Sequence, residues 1–353
     1  MILDDVLRDL VARQGSDLHL LQGQPAKLRV HGELEVATAG GDEVPDVGEV
    51  VLPILEPRHR AQLDENGESD LAYEVEGAGR FRVNVFRHMH GLGAVFRLIP
   101  RRIPTLAELN VPAEVEHFAD LRRGLVLVTG PTGSGKTSTL AAVLGLINAR
   151  EARHIVTIED PIEFLHENVL STFTQREIGR DADTFAAALR SAGRQGPDLV
   201  LLGEMRDRET IGMALTLAEM GLLVFSTLHT SGAARTIDRI VEVFSEDEQP
   251  QVRTMLAETL EGVLSQILCR RADGQGRVPA TELMFCNNAI RAVIREGASH
   301  KVDPLIQSNR AQGWHRLDDS LFRLAMEGVV AGEDAWSKAN EKERFGRFLP
   351  KSE

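Results

Sequence analysis

Only two cysteines, Cys269 and Cys286, stand in 353 residues. A structural zinc cage needs about four ligands, usually in close pairs, so these two exclude one built on cysteine and read as core or surface thiols in a reducing compartment. Long hydrophobic runs are missing as well: nowhere do about 18 apolar residues follow one another, the length a bilayer-spanning helix needs. The start, Met1-Ile2-Leu3-Asp4-Asp5-Val6, holds no basic stretch followed by an apolar run, so no secretory leader is read there. The expectation is a cytoplasmic protein that meets a membrane only through partners. A surplus of positive charge is lacking too. With 53 acidic against 40 basic residues the formal net charge is -13, which argues against a surface adapted as a whole to nucleic acid and leaves room only for a local basic patch. Neither a low-complexity tract nor an internal repeat is found.

What is present is an ordinary globular composition, 42% hydrophobic and 26% charged, in a chain longer than one usual domain, so two domains are expected. Residues 2–14 place Ile2, Leu3, Val6, Leu7, Leu10 and Val11 at helical spacing, which predicts a short amphipathic helix. Alternation in Ser16-Asp17-Leu18-His19-Leu20 predicts a strand, and Lys27-Leu28-Arg29-Val30-His31 after Pro25 predicts another. Residues 36–48, rich in Gly, Asp and Ala with Pro45, read as a loop before a helix. A period of two returns in 71–75, 80–86 and 94–99 and predicts a sheet. Pro100, Pro104 and Pro112 then interrupt regular structure, placing a domain boundary around 100–120.

Beyond that boundary the style changes to solid apolar runs at 125–128, 154–158, 199–202 and 222–226, followed by helical patterns. Strands apolar on both faces are parallel strands covered by helices, so the class is α/β. After about 255 the pattern reads as helical to the end.

Gly130-Pro131-Thr132-Gly133-Ser134-Gly135-Lys136-Thr137 completes the G-x-x-x-x-G-K-[ST] phosphate loop, with an apolar run before it and a helix opening at Ser138-Thr139-Leu140. Its glycines let successive backbone N–H groups face one anion, and the helix N-terminus adds partial positive charge. Lys136 would reach the terminal phosphates of ATP, the Thr137 hydroxyl would hold Mg2+, and Ser138 is counted with the nucleotide-binding loop. Two acidic clusters follow apolar runs, where an open α/β sheet puts its ligand crevice: Glu159-Asp160 and Gly203-Glu204-Met205-Arg206-Asp207. Hydrolysis needs a water aimed at the γ-phosphorus and an acceptor beside it. Glu204 is assigned as the water-activating residue, with Glu159 orienting water or metal. Asp160 is left between a turn cap and a place in the first or second shell of Mg2+. His229, after Phe225-Ser226-Thr227-Leu228, could sense the γ-phosphate or be structural. Arg82 and Arg97 lie on neighbouring predicted strands; on the residues alone they read as solvated strand faces, although arginine suits the charge on a transferring phosphoryl group.

Taken together these residues resemble the secretion-type ATPases that power type IV pili and type II secretion, most closely the pilus-retraction, twitching-motility branch. The motifs are Ser16 to Leu20, Arg80-Phe81-Arg82-Val83-Asn84, the phosphate loop, and the aspartate box from Thr157 to Glu163. They continue with Gln175-Arg176-Glu177, the Walker B stretch Pro197 to Asp207, and the histidine box ending Thr227-Leu228-His229-Thr230. Ala289-Ile290-Arg291-Ala292-Val293-Ile294-Arg295-Glu296 resembles a helix of the retraction branch, and the missing cysteine cluster points away from assembly and type II secretion members. By pattern alone, 289–296 is a core-facing amphipathic helix.

The resemblance implies a PAS-like N-terminal domain at 1–112 and a RecA-like P-loop domain at 113–353 with a helical C-terminal region. It also implies a homohexameric ring docked on an inner-membrane platform protein, in which Arg82, Arg97 and His229 serve nucleotide bound between domains and subunits. A paralogous pilus ATPase is a further partner to consider. Departures from the family pattern are Leu222 in place of the histidine box's first histidine, Met220 in place of threonine, and Gly196 in place of an acidic residue. The segment Asn309-Arg310-Ala311-Gln312-Gly313-Trp314-His315 departs from a Gly-rich, methionine-bearing turn. Rival readings are a regulatory nucleotide-binding paralogue, a pilus assembly or type II secretion ATPase, and a nucleic-acid translocase, the last opposed by the net charge of -13.

Overall fold

The structure, a computed structural model, describes residues 2–30, 33–39, 45–99 and 102–349. His31 of the second expected strand, Pro100 at the expected boundary and residues 40–44 of the expected loop lie outside the described residues. Chain contacts separate one unit, residues 1–102 with 161–165, from another, 103–160 with 166–353.

In the first unit the helix Leu3–Ala12 buries Leu3, Val6, Leu7 and Leu10 along one face, as its spacing requires. Six strands follow: β1 (Gly15–Leu21), β2 (Lys27–Val30), β3 (Glu33–Val36), β4 (Glu68–Val75), β5 (Gly79–His88) and β6 (Gly91–Ile99). They form an antiparallel sheet in the order β3-β2-β1-β6-β5-β4. Alternation drives its assembly: Phe81, Val83 and Val85 of β5 and Phe96 of β6 are fully buried, while Arg82 and Asn84 face away from that core. Strand β3 has no counterpart in the sequence reading, because all four of its residues are exposed at the sheet edge and leave no buried face to detect.

The second unit carries β7 (Gly124–Thr129), β8 (His154–Glu159), β9 (Thr172–Glu177), β10 (Leu199–Leu202), β11 (Leu223–Leu228), β12 (Leu260–Arg270) and β13 (Arg277–Phe285). Their order is β13-β12-β7-β11-β10-β8-β9, with every neighbouring pair parallel except β12 with β13. Every residue of β7, β10 and β11 is buried, which matches apolar runs covered on both faces.

The helical reading from about 255 requires correction, since β12 and β13 occupy 260–285 and helices resume at Asn288. Leu260, Val263, Leu264, Ile267 and Leu268 repeat at intervals of three and four, the spacing of a helix face. The strand shows that spacing because it is buried on both sides and its remaining positions hold Gly262, Ser265 and Gln266. The helix Asn288–Glu296 buries Ile290, Val293 and Ile294, and the Asn287 side chain caps it by accepting from the N–H groups of Ala289 and Ile290, both at 3.0 Å. Its Arg291 donates to the carbonyls of Ala257 and Glu258 at 2.6 and 2.8 Å, whereas Arg295 and Glu296 remain exposed.

Phe225 is fully buried in β11, inside the parallel sheet. Phe225→Ala is expected to destabilise the chain by about 3–5 kcal/mol through lost burial and a residual cavity. Denaturant unfolding followed by far-ultraviolet circular dichroism measures it, and an unchanged midpoint would contradict this account of the core.

Candidate active site

Strand β7 ends at Thr129, the phosphate loop begins at Gly130, and the helix Lys136–Arg150 starts at the loop's last basic residue. Pro131, Thr132 and Gly133 form the exposed crest; Ser134 and Lys136 are buried, and Gly135, Thr137 and Ser138 are half-buried. The Lys136 ammonium donates to the carbonyls of Gly130 at 2.8 Å and Pro131 at 3.0 Å, which holds its charge under the crest. Gly130 is required twice over: its φ is +137°, and a Cβ there would lie 2.1 Å from the Gln266 carbonyl oxygen.

Gln266 itself is a residue that sequence reasoning missed. From β12 its amide donates to the Ser134 carbonyl at 2.7 Å and accepts from the Thr139 hydroxyl at 3.1 Å, joining loop and helix through one buried side chain. Its signal was available: an amide between Leu264 and Ile267 in an apolar stretch must have hydrogen-bond partners to be buried. The buried Ser134 hydroxyl has no partner among the described residues. These features fit a phosphate chain: a glycine-rich loop, a confined ammonium and an unused hydroxyl.

Parallel pairing sets the acidic residues beside this loop. Strands β8, β10 and β11 end at Glu159, Leu202 and Leu228, with Ile158 opposite Leu202, Leu202 opposite Ser226 and Leu228 opposite Thr129. Just past β10, the Gly203 N–H donates to the Ile158 carbonyl at 2.8 Å, and its carbonyl accepts from the Thr227 hydroxyl at 2.7 Å. Glu204 therefore faces His229, whose Nε2 is 3.2 Å from Glu204 Oε2. The Arg206 guanidinium pairs with the other carboxylate oxygen. Burial pushes the Glu204 pKa up, but hydrogen bonding and charge from Arg206, reinforced by His229, outweigh it and hold the carboxyl below its ordinary value. The structure thus unites two expected site residues and adds Arg206.

Glu159 is buried at the end of β8, accepting from the Thr157 hydroxyl at 2.7 Å and the Gln175 amide at 3.5 Å. Asp160 is exposed, and its charge helps to stabilise protonated Arg206. Asp207 instead caps the helix Arg208–Glu219, accepting from the Thr210 N–H at 2.8 Å. Among the described residues no group of three or more His, Cys, Asp or Glu could hold a metal ion. That donor set still fits Mg2+, which is commonly held by one or two protein oxygens together with phosphate oxygens and water.

Arg82 and Arg97 belong to the first unit, where carboxylates hold both. Arg97 donates to Asp17 at 2.8 Å, and Arg82 donates to Glu163 at 3.3 Å, on the short segment 161–165 that groups with that unit. Two of the departures fall away from the phosphate loop. Leu222 precedes β11 and His229 follows it, so the six-residue strand separates them by about 20 Å, and residue 222 belongs to the opposite sheet edge. Gly196 has a φ of +62°, a left-handed turn that glycine adopts without strain and an acidic residue does not.

The family described as Type II/IV secretion system protein matches residues 2–339. This chain belongs to that family. It is 47% identical over 335 residues to the type IV pilus retraction ATPase PilT of Pseudomonas aeruginosa, covering 95% of this chain and 97% of that protein. It is 45% identical over 316 residues to the twitching motility protein of Neisseria gonorrhoeae, covering 90% and 84%. A crystal structure of the pilus retraction motor PilT with bound ADP superposes with a TM-score of 0.89 at 38% identity, covering 98% of this chain and 99% of that one. The α/β class is thereby established, with an N-terminal domain and a RecA-like ATPase domain.

Two outcomes follow for this site. Gln266→Ala removes the brace between Ser134 and Thr139 and is expected to weaken nucleotide binding about tenfold, read by fluorescent-nucleotide titration. Arg206→Ala removes the cation that overrides burial at Glu204, so the carboxyl will protonate at higher pH and the acidic limb of the rate profile will move upward. An unmoved limb would show that Arg206 does not tune Glu204.

Proposed function

We propose that this chain is a motor ATPase that couples hydrolysis of ATP to ADP and phosphate with type IV pilus retraction. One observation carries the chemistry: a complete phosphate loop lies on the same sheet edge as a half-buried carboxylate kept ionised by Arg206 and facing His229. The identity to a pilus retraction ATPase across 95% of the chain supports the biological role.

In this mechanism the loop N–H groups and Lys136 receive the β- and γ-phosphates, exchanging the carbonyls of Gly130 and Pro131 for phosphate oxygens. Thr137 would hold Mg2+, with Asp160 beyond it; when bound, the ion would supply neutralisation of phosphate charge. Glu204 accepts a proton from the attacking water, Glu159 orients that water, and His229 reports on the γ-phosphate through Glu204. The oligomer is a homohexamer in which Arg82 and Arg97 act on nucleotide between domains and subunits. Both must exchange their carboxylates, Glu163 and Asp17, to do so. The ring works at the cytoplasmic face of an inner-membrane platform protein; no helix of the described residues is long and apolar enough to cross a membrane.

A second reading, an accessory nucleotide-binding paralogue that works with another pilus ATPase, is motivated by the Leu222 and Gly196 departures, although both lie away from the phosphate loop. Turnover of the purified chain with and without such a partner separates the two. Lys136→Ala and Glu204→Ala are each expected to abolish turnover, while Glu204→Ala still binds ATP; normal phosphate release from Glu204→Ala would sink the base assignment. Deleting the gene is expected to leave excess unretracted surface pili, whereas loss of pili would support assembly.

A further inference from the structure

The C-terminal helical region contains an open hollow of about 590 Å3, lined by Arg310, Arg323 and Arg344 around Asp319, with buried Trp314 and half-buried His315 in its wall. A hollow of this size suits a ligand up to nucleotide dimensions. The segment 309–315 supplies Arg310, Trp314 and His315 to this lining.

Asp319 organises the arginines. It accepts from Arg344 at 2.7 Å and Arg310 at 2.5 Å, and Arg316 lies 3.8 Å away. Burial would raise its pKa, yet the hydrogen bonds from Arg344 and Arg310 hold the carboxyl below its ordinary value. Each guanidinium has five N–H donors, and Arg310 and Arg344 spend one apiece on this carboxylate. Arg344 also lies over the Phe322 ring, 4.6 Å from its centre, which fixes the plane of its remaining donors.

The Arg323 side chain makes no hydrogen bond among the described residues; its ion pair with Glu327 spans 3.5 Å between half-exposed groups. His315 adds wall and no charge: burial pushes its pKa down, and its ring meets the Thr281 hydroxyl at 2.8 Å and the Gly313 carbonyl at 3.1 Å. The lining carries a positive excess, three arginines against Asp319 and Glu114, within a chain of net charge -13. A plain surface ion network would spend its donors on neighbouring acids. Here three guanidiniums line one hollow, and among the described residues only two of their donors, one each from Arg310 and Arg344 to Asp319, are spent in hydrogen bonds.

We propose that this hollow is an anion-binding site, separate from the phosphate loop, for a small molecule bearing two or more phosphoryl or carboxylate groups. Paired oxyanions would engage the free edges of Arg310 and Arg323 as bidentate partners, a geometry for which arginine is suited and lysine is not. The proposal stands independently of the motor reading.

The test uses the full chain carrying Lys136→Ala, which suppresses the phosphate loop, titrated calorimetrically with pyrophosphate and with citrate. Saturable binding of at least one is expected, weakened by salt and reduced about tenfold or more by Arg323→Ser or Arg310→Ser. Pyrophosphate alone assigns a phosphorylated ligand, and citrate alone a polycarboxylate. Arg323→Lys, which keeps charge but loses the fork, should bind between wild type and Arg323→Ser. Arg310 and Arg323 are more than half exposed, so these variants should keep the thermal unfolding midpoint, measured alongside. No saturable binding, or binding that the arginine substitutions leave unchanged, would overturn the proposal.

Discussion

The parallel register of β7, β11, β10 and β8 is the constraint on which the site depends. Because these strands run in one direction and pair without slippage over their apolar runs, their C-terminal ends lie along a common edge. Gly130, Glu159, Gly203 and His229 each follow or end such a strand. A slip of one residue would exchange the side chains that face the two covering layers, and the packing of each layer against its own set would be lost. The positions of the acidic residues are therefore set by hydrophobic burial well away from the chemistry.

Electrostatics then refine what packing has placed. Burial alone would make the half-buried Glu204 carboxylate hold its proton more tightly. Arg206, two residues on, reverses that tendency, and His229 arrives from the neighbouring strand. On the other side of the loop, Gln266 does with a neutral amide what a charged group could do only at a greater desolvation cost.

Much of this was legible in the residues. The phosphate loop is a local motif of eight residues whose flanking strand and helix can be read beside it, and Glu204 and His229 were singled out as candidates from their position after apolar runs. The failures share a cause. Strand β12 was read as helix because a strand buried on both faces loses its alternation, and its small and polar positions fell at helical intervals. Strand β3 escaped because an exposed edge has no buried face. Gln266 lies 127 residues beyond Thr139 in the chain, so nothing local links them.

By itself the sequence determined the α/β class, the phosphate loop and the acidic strand ends, since periodicity and short motifs depend on neighbours within a few residues. Tertiary structure alone decided the Arg206–Glu204–His229 grouping, the Gln266 brace, the carboxylate partners of Arg82 and Arg97, and the arginine-lined hollow near Asp319. Each of these requires side chains from separate elements to meet at hydrogen-bonding distance, and that is set by how strands pair and helices pack, which local patterning does not encode.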